Sequence, residues 1–126
     1  MRVALVNPPW ESDPNIPVEC REPRLPLELG YAHALLQGAG HVAAVFDAHL
    51  FAQSGTELCR RVGEFRPDLT VVTTAPSRDF WRRPPPELSV SRRAAVSLRG
   101  LSPKLVAVGP QASTAPRTTL EELGVD

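Results

Sequence analysis

The stretch "RVALVNPP", residues 2–9, decides how this chain folds. Four apolar side chains follow one another from Val3 to Val6, with no polar side chain between them. An uninterrupted apolar run of this length is typical of a parallel strand that is buried on both faces of its sheet. Pro8 and Pro9 end the strand, because proline has no N–H for the hydrogen-bond ladder. The run therefore predicts a central strand of a parallel sheet.

Three more apolar runs repeat the pattern, and a helical segment precedes each of them. The predicted strands are Val42–Asp47, Asp68–Thr74 and Lys104–Val108. Strands that alternate with helices form a parallel sheet with right-handed crossovers. We therefore expect residues 1–126 to form one α/β domain, a flavodoxin-like or Rossmann-type sheet of order 2-1-3-4 with helices on both faces. A fifth strand is expected to begin at Val125-Asp126, so that the chain is a truncated domain or a piece of a longer protein.

The first helix is predicted from proline and glycine positions. A proline-rich loop extends to about Arg24, and Pro26 then suits the first turn of a helix. Gly38 and Gly40 are expected to end it. Apolar residues recur every three or four positions and predict a stripe that faces the core. Its members are Leu25, Leu29, Ala32, Leu36 and Ala39.

Two capping boxes mark later helices. Ser54 and Glu57 are spaced so that each side chain can bond the other residue's backbone amide. The helix that they open is expected to bury Leu58, Val62 and Phe65. Thr118 and Glu121 repeat this spacing before a short helix that stops at Gly124. Between them, a further helix is predicted over about residues 92–99.

The composition excludes several classes of function. Hydrophobic residues make up 42% of the chain, and 14 acidic side chains balance 14 basic ones, which argues against a nucleic-acid partner. The apolar start is too short for a signal peptide, and no run approaches the roughly 20 residues that span a bilayer. We therefore expect a cytoplasmic protein with no membrane partner. Cys20 and Cys59 are the only cysteines, too few for a zinc or iron–sulfur site, and are expected to be separate reduced thiols.

Ligands of such sheets bind beyond the carboxyl ends of the strands, where the strand order reverses. Here that point lies between the first and third strands. The loops that meet there are expected to be "NPPW" at 7–10, "TTAPSRDFW" at 73–81 and "GPQAS" at 109–113. The least ordinary residues of the chain lie in these three segments, which makes this edge of the sheet the predicted site.

Several segments, in this order, resemble one family over nearly the whole chain. They are "VALVNPPW", "RLPLELGYAHALLQGAGH", "VFDAHL", "FRPDLTVVTTAP" and "LVAVGPQASTAPRTTLEELGVD". The order and spacing are similar to those of the amino-terminal cobalamin-binding domain of cobalamin-dependent radical S-adenosylmethionine enzymes. The resemblance implies that the chain is the amino-terminal part of a longer methyltransferase-type enzyme.

The resemblance also implies a corrinoid at the carboxyl edge of the sheet, with its dimethylbenzimidazole tail between sheet and helices. Thr73 and Thr74 would offer hydroxyls to the tail or its phosphate. Gly109 would let the tail lie against the fourth strand. Ser77, Arg78, Phe80 and Trp81 would pack under the cobalt. The expected contact residues are Asn7, Pro8, Pro9, Thr73, Thr74, Ala75, Ser77, Arg78, Trp81, Gly109, Pro110, Gln111, Ala112 and Ser113, the last three through backbone amides and polar ends.

Histidine is not expected to bind the cobalt. "DAHLFA", residues 47–52, is one residue short of the D-x-H-x-x-G pattern of many cobalamin-binding domains. His49 follows the second strand, at the outer edge of the predicted sheet, so we expect it to face solvent while Asp47 hydrogen-bonds locally. His33 and His41 are expected at surface or boundary positions. The resemblance thus implies cobalamin without a protein ligand to the metal.

The radical chemistry of the family needs a C-x-x-x-C-x-x-C loop, which this chain lacks. The 4Fe-4S cluster and S-adenosylmethionine are therefore expected in a separate barrel domain, in cis or in trans, and no catalytic residue is assigned here. Two other interpretations stay open. One is a nucleotide- or flavin-binding domain, which Pro8-Pro9 disfavours by removing amide donors for phosphate. The other is a protein-interaction domain that docks through its proline-rich segments.

Overall fold

A computed structural model describes residues 1–10, 14, 18–76 and 88–126, with the backbone alone for Glu19 and Cys20. It contains a four-stranded parallel sheet of order β2-β1-β3-β4, as predicted. The strands are β1 (Arg2–Asn7), β2 (Val42–Asp47), β3 (Leu69–Thr73) and β4 (Lys104–Val108). Only β3 departs from its predicted bounds, by one residue at each end. The chain is thus an α/β protein of the flavodoxin-like or Rossmann type.

The helices are less well predicted than the strands. They are α1 (Val18–Arg21), α2 (Leu27–Gly38), α3 (Gly55–Phe65), α4 (Ser89–Leu98), α5 (Pro110–Thr114) and α6 (Pro116–Leu123). Two of them, α1 and α5, lie in segments predicted to be loops. Helix α6 begins before the capping box expected at Thr118, because Pro116 already suits a first helical turn. Its predicted stop is confirmed, since Gly124 takes the left-handed conformation at φ 60°.

Helix α3 has half of its predicted capping box. The Ser54 hydroxyl accepts a hydrogen bond from the Glu57 amide at 3.2 Å, as expected. The Glu57 carboxylate, however, accepts from the Arg60 side chain at 2.7 and 2.9 Å. Arg60 also pairs with Glu64 one turn further on. The outer surface of α3 therefore carries a run of alternating charges.

The sheet has two faces that are covered to different extents. On one face, which we call the closed face, α3, α4 and α6 pack over a single cluster. The cluster comprises Ala4, Val6, Phe46, Ala48, Leu58, Val62, Val72, Leu88, Ala94, Ala95, Leu98, Leu105 and Leu123. On the other face, which we call the α2 face, α2 is the helix of the described residues that packs against the strands, chiefly over β2. A smaller cluster joins Val3, Leu5 and Leu29 there.

The predicted stripe of α2 is correct in its centre and wrong at its ends. Leu29, Ala32 and Leu36 pack against the α2 face. Leu25 is 67% exposed because it precedes the helix, which begins at Leu27. Ala39, at the carboxyl-terminal cap, is also exposed.

The end of the chain meets the outer edge of β4. The Asp126 amide donates to the Leu105 carbonyl at 2.8 Å, and the Leu105 amide donates to the Asp126 carboxylate at 2.9 Å. Strand β4 therefore accepts an extended neighbour on this side, and the expected fifth strand stays a prediction. In the described part of the chain, no helix is long and apolar enough to cross a membrane.

Candidate functional site

A buried polar network joins three strands at the carboxyl edge of the sheet. Asn7 donates from Nδ2 to Oδ1 of Asp47 at 2.9 Å. Its own Oδ1 accepts from Trp10 Nε1 at 2.7 Å and, at 3.5 Å, from the Thr73 hydroxyl. Each of these four residues is at most 4% exposed. A single asparagine thus ties together the ends of β1, β2 and β3.

The network fixes the start of the loop that follows β1, residues 8–10. Pro8 is buried, and Trp10 is packed against Val90 of α4. Buried polar groups cost free energy unless they are paired, so the bonds to Asn7 favour this one arrangement of the loop. Asn7 and Trp10 therefore have a structural role that the sequence interpretation did not assign to them.

The prediction for His49 was wrong: only 3% of this residue is exposed. A tight turn follows β2, in which Asp47 Oδ1 accepts from the Leu50 amide at 2.9 Å and Ala48 O accepts from the Gln53 amide at 2.8 Å. This turn directs Ala48 and His49 inward, whereas Phe51 is 65% exposed. The local bond expected of Asp47 is confirmed. His33 and His41, which are half-buried, lie at the boundary as predicted.

Thr74 and Gly109 lie against each other where β3 and β4 end. The Thr74 amide donates to the Val108 carbonyl at 2.9 Å. Gly109 has φ 140°, and a Cβ built there would lie 2.2 Å from the Thr74 hydroxyl oxygen. A glycine is thus required here by its backbone conformation and by contact with Thr74. The Thr74 hydroxyl oxygen is buried without a hydrogen-bond partner among the described residues.

The expected loop after β4 is the short helix α5. Within it, the Ser113 amide donates to the Gly109 carbonyl at 2.9 Å, so this amide serves the helix. The ligand contacts expected of Gln111, Ala112 and Ser113 stay a prediction, and at Ser113 they would have to come from the side chain. Pro110, Gln111 and Ala112 are half-buried, and Ala75 is fully buried. Ser77, Arg78, Phe80 and Trp81 lie outside the described residues.

A groove of about 550 Å³ runs along the α2 face, in the part of the sheet that α2 leaves uncovered. Among the described residues of its lining, Glu28 and His41 contribute the polar side chains. The apolar lining residues are Val3, Leu5, Leu29, Ala32, Leu35, Leu36, Ala39, Leu69, Val71 and Val108. The groove reaches the carboxyl edge at Val108, which is 38% exposed. Its size is within the usual range for small-molecule sites, about 300–1,000 Å³.

The sequence interpretation did not identify this groove, although the strand order contains the signal for it. In the order 2-1-3-4, the connection from β1 to β2 runs in one direction across the sheet. The connections from β2 to β3 and from β3 to β4 run in the other direction. Right-handed crossovers therefore place one helix, α2, on one face and the next two on the opposite face. A lone helix cannot cover four strands, so apolar residues of β3 and β4 remain accessible beside it.

A second cleft, of about 570 Å³, lies between α3 and α4 on the closed-face side. Pro9, Thr56, Cys59, Val90 and Arg93 are among the residues that line it. Burial raises the pKa of the Cys59 thiol, which is free. This cleft mixes charged, polar and apolar groups, whereas the groove of the α2 face is almost wholly apolar.

The described residues contain no group of three or more His, Cys, Asp or Glu side chains that could hold a metal ion. Comparison with family models, with curated proteins and with solved structures found no match to this chain.

Proposed function

We propose that this chain binds cobalamin, with the nucleotide tail of the corrinoid in the groove of the α2 face. In this proposal the chain is the corrinoid domain of a larger, cytoplasmic B12-dependent radical S-adenosylmethionine enzyme of the methyltransferase type. The 4Fe-4S cluster and S-adenosylmethionine would belong to a barrel domain, in cis or in trans. The observation that carries the proposal is the apolar groove, which opens at the carboxyl edge of the sheet.

The lining of the groove suits a flat apolar ring such as dimethylbenzimidazole. Val71 and Val108 form its floor on the sheet, and Leu36 of α2 forms one wall. Apolar surface that enters such a groove leaves water, which is favourable by about 25 cal/mol per Å². The tail would therefore bind chiefly by burial, and few polar groups would be needed along its length.

The polar end of the tail would need hydrogen-bond donors at the carboxyl edge. Thr74 is the candidate donor at this edge, because its hydroxyl oxygen is buried and without a partner among the described residues, but it lies beside Gly109 and outside the lining of the groove. Thr73 fits less well, since its hydroxyl is directed to Asn7. Of the two threonines, we therefore assign the contact to Thr74. When bound, cobalamin would supply a cobalt centre that carries the methyl group, and the residues of this chain would hold it and shield its tail.

The proposal is tested by comparing two corrinoids. Cyanocobalamin has the nucleotide tail, whereas dicyanocobinamide has the same corrin ring without it. We expect the purified chain to retain cyanocobalamin on a desalting column and to bind it at least about tenfold more tightly than cobinamide. Equal affinity for the two corrinoids would place the tail outside the groove. A folded chain that retains neither corrinoid would contradict cobalamin binding. A bound flavin would appear in the absorbance spectrum of the purified chain and would favour the flavin-binding interpretation.

A matched pair of valine substitutions tests the position of the tail. Val108→Trp fills the groove from a residue that is 38% exposed. Val42→Trp places the same side chain at the start of β2, on a residue that is 53% exposed and does not line the groove. We expect the first variant to weaken cyanocobalamin binding at least about tenfold and the second to leave it unchanged. Equal effects would contradict the assignment.

A further inference from the structure

The cleft between α3 and α4 has the features of a second ligand site, separate from the groove of the α2 face. Its volume, about 570 Å³, is within the usual range for small-molecule sites. Because α3 begins after the turn that follows β2, its amino-terminal end lies at the carboxyl edge of the sheet. One side of each helix lines the cleft, namely Gly55, Thr56, Leu58 and Cys59 of α3 and Val90, Arg93, Ala94 and Ser97 of α4.

The amino-terminal end of α3 provides two amide donors beside this cleft. The first amides of a helix have no acceptor within the helix. In α3, the Glu57 amide donates instead to the Ser54 hydroxyl at 3.2 Å. The amides of Gly55 and Thr56 have no acceptor among the described residues, and both residues line the cleft. Such amides, at the positive end of the helix dipole, attract anions.

The charge that lines the cleft is positive. Among the described residues of the lining, Arg93 is the charged one, and none is acidic. Glu57, the acidic residue in the first turn of α3, does not line the cleft, and its carboxylate accepts from the Arg60 side chain at 2.7 and 2.9 Å. An anion in the cleft would therefore meet a guanidinium and helix amides, and no carboxylate of the lining would oppose it.

An unpaired polar atom in the lining is independent evidence for a ligand. Gln53 lines the cleft, and its Oε1 is buried without a hydrogen-bond partner among the described residues. A buried acceptor that stays unpaired costs free energy. A ligand that donates a hydrogen bond to this oxygen would recover that cost.

The floor of the cleft is apolar. Leu58 of α3 and Val90 and Ala94 of α4 are buried and line it. Apolar parts of a ligand that lie on these side chains would leave water, which is favourable. The cleft therefore suits a molecule with an anionic end and a partly apolar body.

We propose that this cleft binds a phosphate monoester of a small, partly apolar molecule. Its phosphate would accept from the Gly55 and Thr56 amides and pair with the Arg93 guanidinium. A phosphate monoester has three terminal oxygens for these donors, whereas a carboxylate has two, so the donor set favours phosphate. This site does not depend on cobalamin binding, because it lies on the closed-face side of the sheet.

Amide-resolved NMR of the chain, titrated with phosphate at an ionic strength held constant with NaCl, tests the proposal. Inorganic phosphate should give saturable shifts of the Gly55 and Thr56 amides, with a dissociation constant of roughly 1–10 mM. Phenyl phosphate should bind at least about tenfold more tightly, because its ring leaves water on the apolar floor. No saturable shift up to about 50 mM phosphate would overturn the proposal, as would a phenyl phosphate that binds no more tightly.

Two neighbouring arginines of α4 form a matched pair of variants. Arg93→Gln should weaken phenyl phosphate binding at least about fivefold, because it removes the charge from the lining. Arg92→Gln is the control, since Arg92 is also exposed but pairs with Glu122 and does not line the cleft. It should leave the affinity unchanged. Equal losses in the two variants would overturn the proposal.

A proline variant removes one amide donor and keeps the helix. Proline suits the first helical position, and Ser54 before it is already extended, at φ −67° and ψ 159°. Gly55→Pro should therefore leave the circular dichroism unchanged and weaken phenyl phosphate binding at least about threefold. Gly55→Ala keeps the amide, and its Cβ would meet nothing within 4 Å, so it should bind as the wild type does. Equal affinities of the proline and alanine variants would contradict a role for this amide.

Discussion

The two faces of the sheet are built from the same strands but are completed differently. Val72 of β3 points into the closed face and is fully buried, whereas its neighbour Val71 points to the α2 face and lines the groove. Among the described residues, α3, α4 and α6 cover the closed face, and α2 covers part of the other. Adjacent valines of one strand therefore have different surroundings, one inside the closed-face cluster and the other at the groove.

The unequal covering of the two faces follows from the strand order more than from the composition of the strands. Both faces of β1 and β3 are mostly apolar, as expected of central parallel strands. The crossover helices, however, are distributed unequally between the faces. The groove is thus a consequence of strand order, and Leu69 and Val71 of β3, which a further helix would bury, are half-buried among the described residues.

The largest expected contrast is between two helical leucines. Leu98 of α4 is fully buried in the closed-face cluster, and Leu36 of α2 is half-buried at the groove. Leu98→Ala should lower the free energy of unfolding by about 2–5 kcal/mol, because it removes contacts and leaves a cavity. Leu36→Ala should cost less than half as much, since water already reaches this side chain. Urea denaturation of both variants measures the contrast, and equal losses would show that the two faces are equally closed.

Substitutions at two glycines test whether the contact between Gly109 and Thr74 stabilises the carboxyl edge of the sheet. Gly109→Ala should cost about 2–3 kcal/mol, because the new methyl group meets the Thr74 hydroxyl and the backbone is at φ 140°. Gly100 also has a positive φ, 84°, but a Cβ there meets nothing within 4 Å. Gly100→Ala should therefore cost only about 1 kcal/mol. If thermal unfolding shows the same loss for both, the contact with Thr74 contributes nothing.

The capping bond of α3 is expected to have a smaller effect. Ser54→Ala removes the hydroxyl that accepts from the Glu57 amide, and should lower the free energy of unfolding by about 1 kcal/mol. Ser54→Asp keeps an acceptor at the same place and should restore most of the stability. Urea midpoints compare the three proteins. An aspartate variant as unstable as the alanine variant would show that the cap does not stabilise the closed face.

The smallest effect expected is a dependence on pH at the surface of α3. The hydrogen bond from Arg60 lowers the pKa of the Glu57 carboxyl below its ordinary value. Its contribution to stability is therefore present above the unfolded-state pKa, about 4.3, and is lost as the pH falls through the lower folded-state value. When the urea midpoint is plotted against pH, Glu57→Gln should reduce the loss of stability at acid pH. In 1 M NaCl the difference between the proteins should shrink, because salt screens exposed charges.

The strands were predictable because each is a short apolar run bounded by proline, glycine or charge. Their order followed from the alternation with helices. The short helices α1 and α5 were not predictable, since four or five residues carry too little periodicity, and "GPQAS" has the composition of a turn. Proline marked the start of α5 and α6, but the same residue also marks loops.

The site was only partly predictable, because burial at the carboxyl edge depends on contacts between distant residues. His49 was expected to face solvent since it follows an edge strand, and it is buried because the turn after Asp47 folds inward. Asn7 was named as a contact residue, but its pairing with Asp47 and Trp10 could not be inferred from spacing. Gly109 and Thr74 were both named, and the structure brings them into direct contact.

The central claim is that the α2 face, and not the closed face, receives the corrinoid. Methyl-resolved NMR of the chain, with and without saturating cyanocobalamin, tests it most directly, because Val71 and Val72 report on opposite faces of one strand. We expect large shifts for the methyl groups of Val71, Val108 and Leu69, and small shifts for those of Val72 and Leu58. Shifts concentrated at Val90 and Leu58, in the cleft between α3 and α4, would contradict it, as would a spectrum that cobalamin leaves unchanged.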